Sequence, residues 1–158
     1  GAIPHGSDVA CRMFADQGVH WLIAHPERNK AVMRNPDIIK PFVDMGCMLQ
    51  LTAASVVGAF GRSAGQTAHT LLTRGLAHVV ASDAHNLAHR PPRMGEARRY
   101  LSQHFGMGIA YRLTEENPAR ILAERVAEPG EELPLAQPQQ TTPAAAPQGV
   151  IPQRMYAN

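Results

Sequence analysis

The sequence predicts an α/β protein in which helices alternate with the strands of a parallel sheet. Three times along the chain, a segment with apolar residues at helical spacing is followed by a glycine and then by a short apolar run. The apolar runs are continuous rather than alternating, which is typical of strands whose two faces are covered by helices. Helices placed between such strands predict right-handed crossovers. An open sheet and a closed barrel fit this pattern equally well.

Each of the three helix–strand units has recognisable start and stop signals. Ser7 or Asp8 can cap the first helix, and Pro36 stands at a first helical position of the second. A glycine closes each helix before the strand begins. The predicted helices span 8–17, 36–45 and 64–74, and the strands that follow read "HWLIAH", "CMLQLT" and "AHVVAS".

The C-terminal part of the chain predicts two more helices and then a change of character. One helix is predicted over 94–105, and another begins at Asn117, which can act as its cap, with Pro118 in the first turn. Residues 127–158 hold six of the thirteen prolines and show little apolar periodicity. The sequence therefore predicts one folded domain over 1–126 and a disordered Pro/Gln/Ala-rich tail over 127–158.

Composition and charge narrow the classes of protein to consider. Hydrophobic residues make up 44% of the 158-residue chain, which is too high for a disordered protein. The formal net charge is +2, and no basic block is interleaved with aromatic residues, so a nucleic-acid-binding module is not expected. No apolar run approaches the roughly 18 residues of a membrane span. No secretory signal is visible either, and a cytoplasmic protein without membrane insertion is expected.

The two cysteines and the first residue carry smaller predictions. Cys11 and Cys47 are too few and too far apart for a CxxC site or a disulfide framework, which predicts two reduced and buried thiols. Neither is followed by an arginine at the spacing of cysteine-dependent phosphatases, so Cys47 is not expected to be a nucleophile. The chain begins with Gly1 and opens almost at once on a helical segment, which favours a processed product or a fragment.

Polar side chains follow all three predicted strands at the point where each strand ends. In α/β folds with parallel strands, ligands bind at these carboxyl ends because the loops converge there. A loop after the third strand adds His89 and Arg90. The strand-end residues are His25, Glu27, Arg28 and Asn29 after the first strand, Gln50, Thr52 and Ser55 after the second, and Ser82, Asp83, His85 and Asn86 after the third.

Asp83 and His85 stand two positions apart, so in a continuing strand they would face the same way. A carboxylate and an imidazole together suit ions such as Mn²⁺, Zn²⁺ or Fe²⁺. His25 could be a third ligand or could bind a second ion. Arg28 and Arg90 lie a few residues beyond these ligands, where guanidinium groups could contact phosphate oxygens. The pattern is typical of metal-assisted hydrolysis of a phosphate ester.

Each of these residues also has a simpler interpretation. An Asp-x-His pair is common by chance, and His25 could be a hydrogen-bonded core histidine. Arginines such as Arg28 and Arg90 are more often surface or helix-capping residues. Glu27 could be a general base, but after Pro26 it could equally cap the next segment. The position of His25 and of the Asp83 pair at the ends of apolar strands favours the functional interpretation.

Four motifs carry a resemblance to a known family. In their order and separations, "IAHPERN", "MLQLTAASVVGAFG", "HVVASDAHNLAHRPPRM" and "NPARIL" resemble the C-terminal half of the bacterial CpsB/CapC-type tyrosine-protein phosphatases, of the PHP (polymerase and histidinol phosphatase) superfamily. The resemblance covers about residues 10–124. It implies part of a distorted, TIM-like β/α barrel with a metal cluster, usually manganese, at the strand ends. It also implies phosphotyrosine substrates on the tail of a partner tyrosine kinase that controls capsule or exopolysaccharide export.

The resemblance assigns roles to individual residues. His25 corresponds to the metal-binding histidine of the "AHPER" segment, and Asp83 and His85 correspond to the ligands of the "SDAH" segment. Arg28 and Arg90 correspond to the arginines that contact phosphate. The implied activity is that of a Mn²⁺-dependent protein-tyrosine phosphatase, with other divalent transition metals as alternatives.

Other functions stay open at this point. A PHP-family phosphatase acting on a small ester such as histidinol phosphate is one alternative. Family members begin with a His-x-His ligand motif, whereas this chain contains no His-x-His and has no room for the first half of the family pattern before Ser7. A non-catalytic fragment, which binds a kinase or a partner chain that supplies the missing strands, is therefore a second alternative, and homo-oligomerisation is a further open possibility.

Overall fold

The computed structural model describes residue 3 and residues 6–86 and 91–124. Three sequence-based predictions fall outside these residues: the loop histidine His89, the arginine Arg90 and the tail over 127–158. The last predicted helix, over 117–126, lies within them as far as Glu124.

The described strands form one parallel sheet of three strands. They are β1 (Leu22–Ala24), β2 (Met48–Thr52) and β3 (Val79–Ala81), and β2 lies between the other two. Ala24 pairs with Gln50, and Thr52 pairs with Ala81, so all three strands end at the same edge of the sheet. The predicted parallel α/β arrangement is confirmed, although β1 and β3 are shorter than the apolar runs that predicted them.

Helices and helical turns connect the strands and continue after β3. Among the described helices the longest, Arg62–Thr73, has 12 residues. No helix in the described ranges is long and apolar enough to cross a membrane. The α-helices are α1 (Ser7–Ala15), α2 (Lys30–Arg34), α3 (Lys40–Asp44), α4 (Ala53–Val56), α5 (Arg62–Thr73), α6 (Gly95–Phe105), α7 (Met107–Tyr111) and α8 (Asn117–Glu124), with 3-10 turns at Pro26–Arg28 and Pro36–Ile39 and a π-helical turn at Arg112–Glu116.

The helix predicted over 36–45 is divided in two. A 3-10 turn, Pro36–Ile39, precedes α3, and Pro41 stands in the first turn of α3. Pro41 has no N–H to donate, and its ring crowds the preceding turn, so one continuous α-helix through this position is unfavourable. Gly46 then adopts a positive φ of 90°, which ends the helix and directs the chain into β2.

The hydrophobic core is centred on β2. Leu49 and Leu51 lie two positions apart on one face of the strand, and both are fully buried. Leu71 of α5 and Leu101 of α6 belong to the same cluster and are also fully buried. The strand β1, at the edge of the described sheet, is less covered, and its Leu22 is 41% exposed.

The two cysteines, far apart in sequence, lie together in the fold. Cys11 of α1 and Cys47, just before β2, are both free and buried. Burial raises the pKa of the Cys47 thiol to about 12, and a hydrogen bond with the Cys11 side chain acts in the same direction. The Cys47 thiol is therefore protonated near neutral pH, as expected for a buried cysteine in apolar surroundings.

His78 connects three elements of the fold. Its Nδ1 accepts a hydrogen bond from the backbone N–H of Leu49 at 3.1 Å, and its carbonyl oxygen accepts one from Nδ2 of Asn117 at 2.7 Å. Burial lowers the pKa of His78 below its ordinary value near 6.5, although a hydrogen bond with the backbone of Leu76 opposes this shift. The neutral imidazole is therefore the form that the folded chain favours.

The stability of the fold should depend on the protonation of His78. Because its pKa is lower in the folded than in the unfolded chain, the contribution of His78 is fully present above pH 6.5 and decreases as the pH falls below it. Urea unfolding between pH 7.5 and pH 5, at intervals of about half a unit, measures the slope of the free energy of unfolding. His78→Asn keeps an acceptor without the titration and should flatten the slope. Equal slopes in the wild type and His78→Asn would contradict this account.

Candidate functional site

The loops after β1 and β3 bring the two most distinctive backbone positions to one edge of the sheet. His25 directly follows β1 and has a φ of 39°, and Asp83 follows β3 by two positions and has a φ of 52°. Among the described residues these are the two non-glycine residues with positive φ. Non-glycine residues in this region are strained by roughly 1–3 kcal/mol, and such strain is concentrated at functional sites.

The segment "HPERN" folds as a tight turn because four of its five residues make local contacts that fix the backbone. The N–H of His25 donates to the carbonyl of Gln50 at 2.8 Å, which extends the β1–β2 pairing by one residue. Pro26 begins the 3-10 turn, and the N–H of Arg28 donates back to the carbonyl of His25 at 3.0 Å. Asn29 then caps α2 by accepting from the N–H of Ala31 at 2.9 Å.

Arg28, in the loop after β1, contacts Asp83, in the loop after β3. Nη1 of Arg28 lies 3.1 Å from Oδ2 of Asp83, and the two side chains are 34% and 19% exposed. The Cζ atom of Arg28 lies 4.5 Å from the centroid of the Phe60 ring, a cation–π contact. The guanidinium group is thus held by a carboxylate and by a ring that packs against it, and this restricts its orientation.

Asp83 and His85 form a second contact, which lies within the loop after β3. Nδ1 of His85 lies 2.7 Å from the carbonyl oxygen of Asp83 and 3.9 Å from its Oδ1 atom. A carbonyl oxygen only accepts hydrogen bonds, so Nδ1 carries a proton, and in the neutral imidazole of this tautomer Nε2 has the free lone pair. An imidazole whose one nitrogen donates to a backbone carbonyl is the arrangement that metal-ligating histidines adopt. The donor chemistry of this pair fits a divalent transition metal.

Glu27 connects the "HPERN" turn to the central strand beneath the site. Its side chain is fully buried, and its Oε1 accepts a hydrogen bond from the N–H of Thr52, at the end of β2, at 3.1 Å. Within the described part of the chain, Oε2 of Glu27 and the hydroxyl groups of Thr52 and Ser55 are buried without a hydrogen-bond partner. Full burial disfavours the general-base interpretation of Glu27, and the contact instead joins the "HPERN" turn to the central strand.

Not all of the predicted site residues come together. The structure joins Arg28, Asp83 and His85, but in residues 3, 6–86 and 91–124 no group of three His, Cys, Asp or Glu side chains could hold a metal ion. His25 stands at the same edge without completing such a group. Arg90 lies outside the described residues, so its role and the metal set of His25, Asp83 and His85 stay predictions.

Phe60 is the site residue to which the sequence analysis gave no role. It lies within the quoted motif "MLQLTAASVVGAFG", and its contact with Arg28 joins positions 32 residues apart, which no local pattern reveals. A large apolar residue between Gly58 and Gly61, beyond a strand end, was the signal that could have found it, because glycines at positive φ shape an exposed turn there.

The fold and the site together define a parallel α/β protein with a polar strand-end site. The chain is a parallel α/β protein with an arginine, a carboxylate and an imidazole gathered at the carboxyl ends of its strands. A model of the family described as "Capsular polysaccharide synthesis, CpsB/CapC" matches residues 8–123. The chain belongs to this family, and the resemblance found in its motifs is confirmed.

The curated relatives of this chain are named as tyrosine phosphatases. It is 39% identical over 114 residues to the tyrosine-protein phosphatase YwqE of Bacillus subtilis, covering 70% of this chain and 45% of the relative. It is 34% identical over 114 residues to the tyrosine-protein phosphatase CpsB of Streptococcus pneumoniae, covering 69% of this chain and 47% of the relative. The chain therefore spans about half the length of the curated relatives it matches.

A solved structure resembles the fold. It is described as one of YwqE from Bacillus subtilis and CpsB from Streptococcus pneumoniae, "unique metal-dependent tyrosine phosphatases". The TM-score is 0.67 at 33% sequence identity, and the match covers 70% of this chain and 44% of the other. The fold of the matched region is thus shared with metal-dependent tyrosine phosphatases.

The hydrogen bond between Glu27 and Thr52 should contribute measurably to stability. Glu27→Leu keeps much of the side-chain volume but leaves the buried N–H of Thr52 without an acceptor, which should lower the free energy of unfolding by about 1–3 kcal/mol. Glu27→Gln keeps an acceptor and should cost less. Urea unfolding at pH 7 measures both, and the exposed Glu115, paired with Arg98 at the surface, supplies Glu115→Leu and Glu115→Gln as near-neutral controls. An equal loss in the two Glu27 variants would show that the Thr52 bond is not what matters.

Proposed function

We propose that the protein containing this chain is a metal-dependent protein-tyrosine phosphatase of capsule or exopolysaccharide synthesis. The observation that carries the proposal is the contact of Arg28 with Asp83, and of Asp83 with His85, at the carboxyl ends of parallel strands in a CpsB/CapC family chain. Membership of a family whose relatives are named tyrosine-protein phosphatases supports the same reaction.

The proposed substrate is phosphotyrosine on the tail of a bacterial tyrosine kinase. Arg28 offers a planar guanidinium group that can form paired hydrogen bonds with phosphoryl oxygens. Its contact with Phe60 supports one face of that group, so the edge that binds phosphate is oriented before a substrate arrives. Arg90 is proposed as the second arginine that contacts the phosphoryl group.

The proposed metal ligands are His25, Asp83 and His85, and the proposed ion is Mn²⁺, with other divalent transition metals as alternatives. When bound, such an ion supplies an activated water molecule and neutralises charge on the phosphoryl oxygens. In this chain, His85 presents Nε2 because its Nδ1 proton is held by the carbonyl of Asp83. Asp83 contributes a carboxylate that also contacts Arg28, and this contact supports a site in which the proposed anion-binding group lies beside the proposed metal ligands.

The remaining features of the proposed protein follow from the family resemblance. We propose that the three described strands are part of a distorted β/α barrel of the PHP type and that the protein acts in the cytoplasm. The open edge at β1, where Leu22 is exposed, is the side on which further strands or a second copy would pack.

A second candidate function is a non-catalytic binding piece that a partner chain completes. The observation that favours it is that the described residues contain no three-ligand group for a metal ion. A chain that binds phosphotyrosine through Arg28 but does not hydrolyse it would fit this candidate. A hydrolysis assay separates the two functions.

Replacement of Asp83 should abolish most of the activity. With a phosphotyrosine peptide and Mn²⁺, Asp83→Asn should lower kcat/KM by about a hundredfold or more, because the carboxylate is both a proposed ligand and the partner of Arg28. A chelator should remove the wild-type activity.

The matched control for this variant is Asp37→Asn. Asp37 also forms an ion pair with an arginine, Arg74, but at an exposed position away from the strand ends. Its replacement should change kcat/KM by less than about twofold, as expected for a surface pair. Wild-type activity that persists in Asp83→Asn or in chelator would overturn the metal-dependent reaction. Absence of activity in the wild type would favour the binding-piece candidate.

A further inference from the structure

We propose that Phe60 is a specificity-determining residue that packs against the aromatic ring of an aryl phosphate and so favours phosphotyrosine over alkyl phosphates. The inference rests on the proposed function, because it assumes that Arg28 binds the phosphoryl group. It goes further by assigning the choice of substrate class to one residue of this chain.

The turn that carries Phe60 is fixed by its backbone. The N–H of Ala59 donates to the carbonyl of Ala54 at 2.8 Å, and the N–H of Gly61 donates to the carbonyl of Gly58 at 3.1 Å. Gly58 and Gly61 adopt φ values of 79° and 89°, which glycine tolerates without strain. The result is a short, hydrogen-bonded turn that leaves Phe60 36% exposed.

The ring lies beside the proposed phosphate-binding group. One face of the Arg28 guanidinium packs against Phe60, with Cζ 4.5 Å from the ring centroid, while Nη1 contacts Asp83 at 3.1 Å. A phosphoryl group held at the edge of this guanidinium would therefore place its ester oxygen near the exposed part of the Phe60 ring. The exposed part of the ring is therefore available to an aromatic group of the ester.

The chemistry of the ester then decides what Phe60 can contact. In phosphotyrosine a single oxygen separates phosphorus from an aromatic ring, so the ring enters the space beside Phe60 when the phosphoryl group binds Arg28. In phosphoserine the same oxygen is bonded to a methylene group, which offers little area. Offset or edge-to-face contact between two rings stabilises the aryl ester, and this contact is absent for the alkyl ester.

The test is a binding measurement that does not depend on turnover. The 158-residue chain, labelled with ¹⁵N and ¹³C, is titrated with acetyl-phosphotyrosine-amide, acetyl-phosphoserine-amide and inorganic phosphate, and the dissociation constants are read from chemical-shift changes. The wild type should bind the aryl ester more tightly than the alkyl ester. Phe60→Leu should lower this preference by about three- to tenfold and should cause a smaller loss of phosphate affinity, because the ring no longer supports Arg28. Phe60→Tyr should keep the preference.

Tyr111→Leu is the control variant. Tyr111 is also an exposed aromatic residue, 51% exposed, on α7, an element that holds none of the site residues, and its replacement should leave all three affinities unchanged. An unchanged preference in Phe60→Leu would overturn the inference, and so would an equal loss for all three ligands, since Phe60 would then act only by holding Arg28. Failure of the wild type to bind any of the ligands would also overturn it. Selective binding without hydrolysis in the presence of Mn²⁺ would remove the proposed function alone and leave the role of Phe60 standing.

Discussion

The ion pair between Arg28 and Asp83 joins the loop after β1 to the loop after β3, across the end of the central strand. The strands β1 and β3 are not hydrogen-bonded to each other, because β2 lies between them. The ion pair therefore brings two side chains that lie 55 positions apart in the sequence into one site. It also brings together a cation and a carboxylate, the two charges that the proposed phosphate–metal site requires.

The backbone beneath the pair explains how the two side chains are presented. His25 and Asp83 are held at positive φ, and each strained position redirects the chain at the end of its strand. Two contacts stabilise the strained backbone at His25: its hydrogen bond to the carbonyl of Gln50 and the buried hydrogen bond between Thr52 and Glu27. A functional loop positioned by the ends of a packed sheet is the usual division of labour in α/β proteins.

The sequence predicts the parallel sheet and the strand-end positions of His25, Asp83 and His85, because continuous apolar runs and the polar residues that end them are local signals. It predicts one helix over 36–45, but the structure divides this segment in two. The apolar periodicity continues through Pro41, whereas a continuous helix is unfavourable there because proline has no N–H and its ring crowds the preceding turn. The Glu27–Thr52 bond and the packing of Phe60 on Arg28 were not predicted. Each contact joins positions 25 or more residues apart, so no local pattern indicates it. In addition, the donor at Thr52 is a backbone N–H, which every residue except proline carries and which the sequence therefore does not mark.

A crystal structure of this chain grown with Mn²⁺, with an anomalous difference map recorded at the manganese edge, tests most directly whether the two loops form one metal-binding site. The account predicts an anomalous peak in contact with the carboxylate of Asp83 and Nε2 of His85, with Nδ1 of His85 still bonded to the Asp83 carbonyl. It also predicts that the guanidinium group of Arg28 remains beside the ion. A peak at another place on the chain, or no peak at saturating Mn²⁺ while Arg28 and Asp83 stay paired, would contradict it.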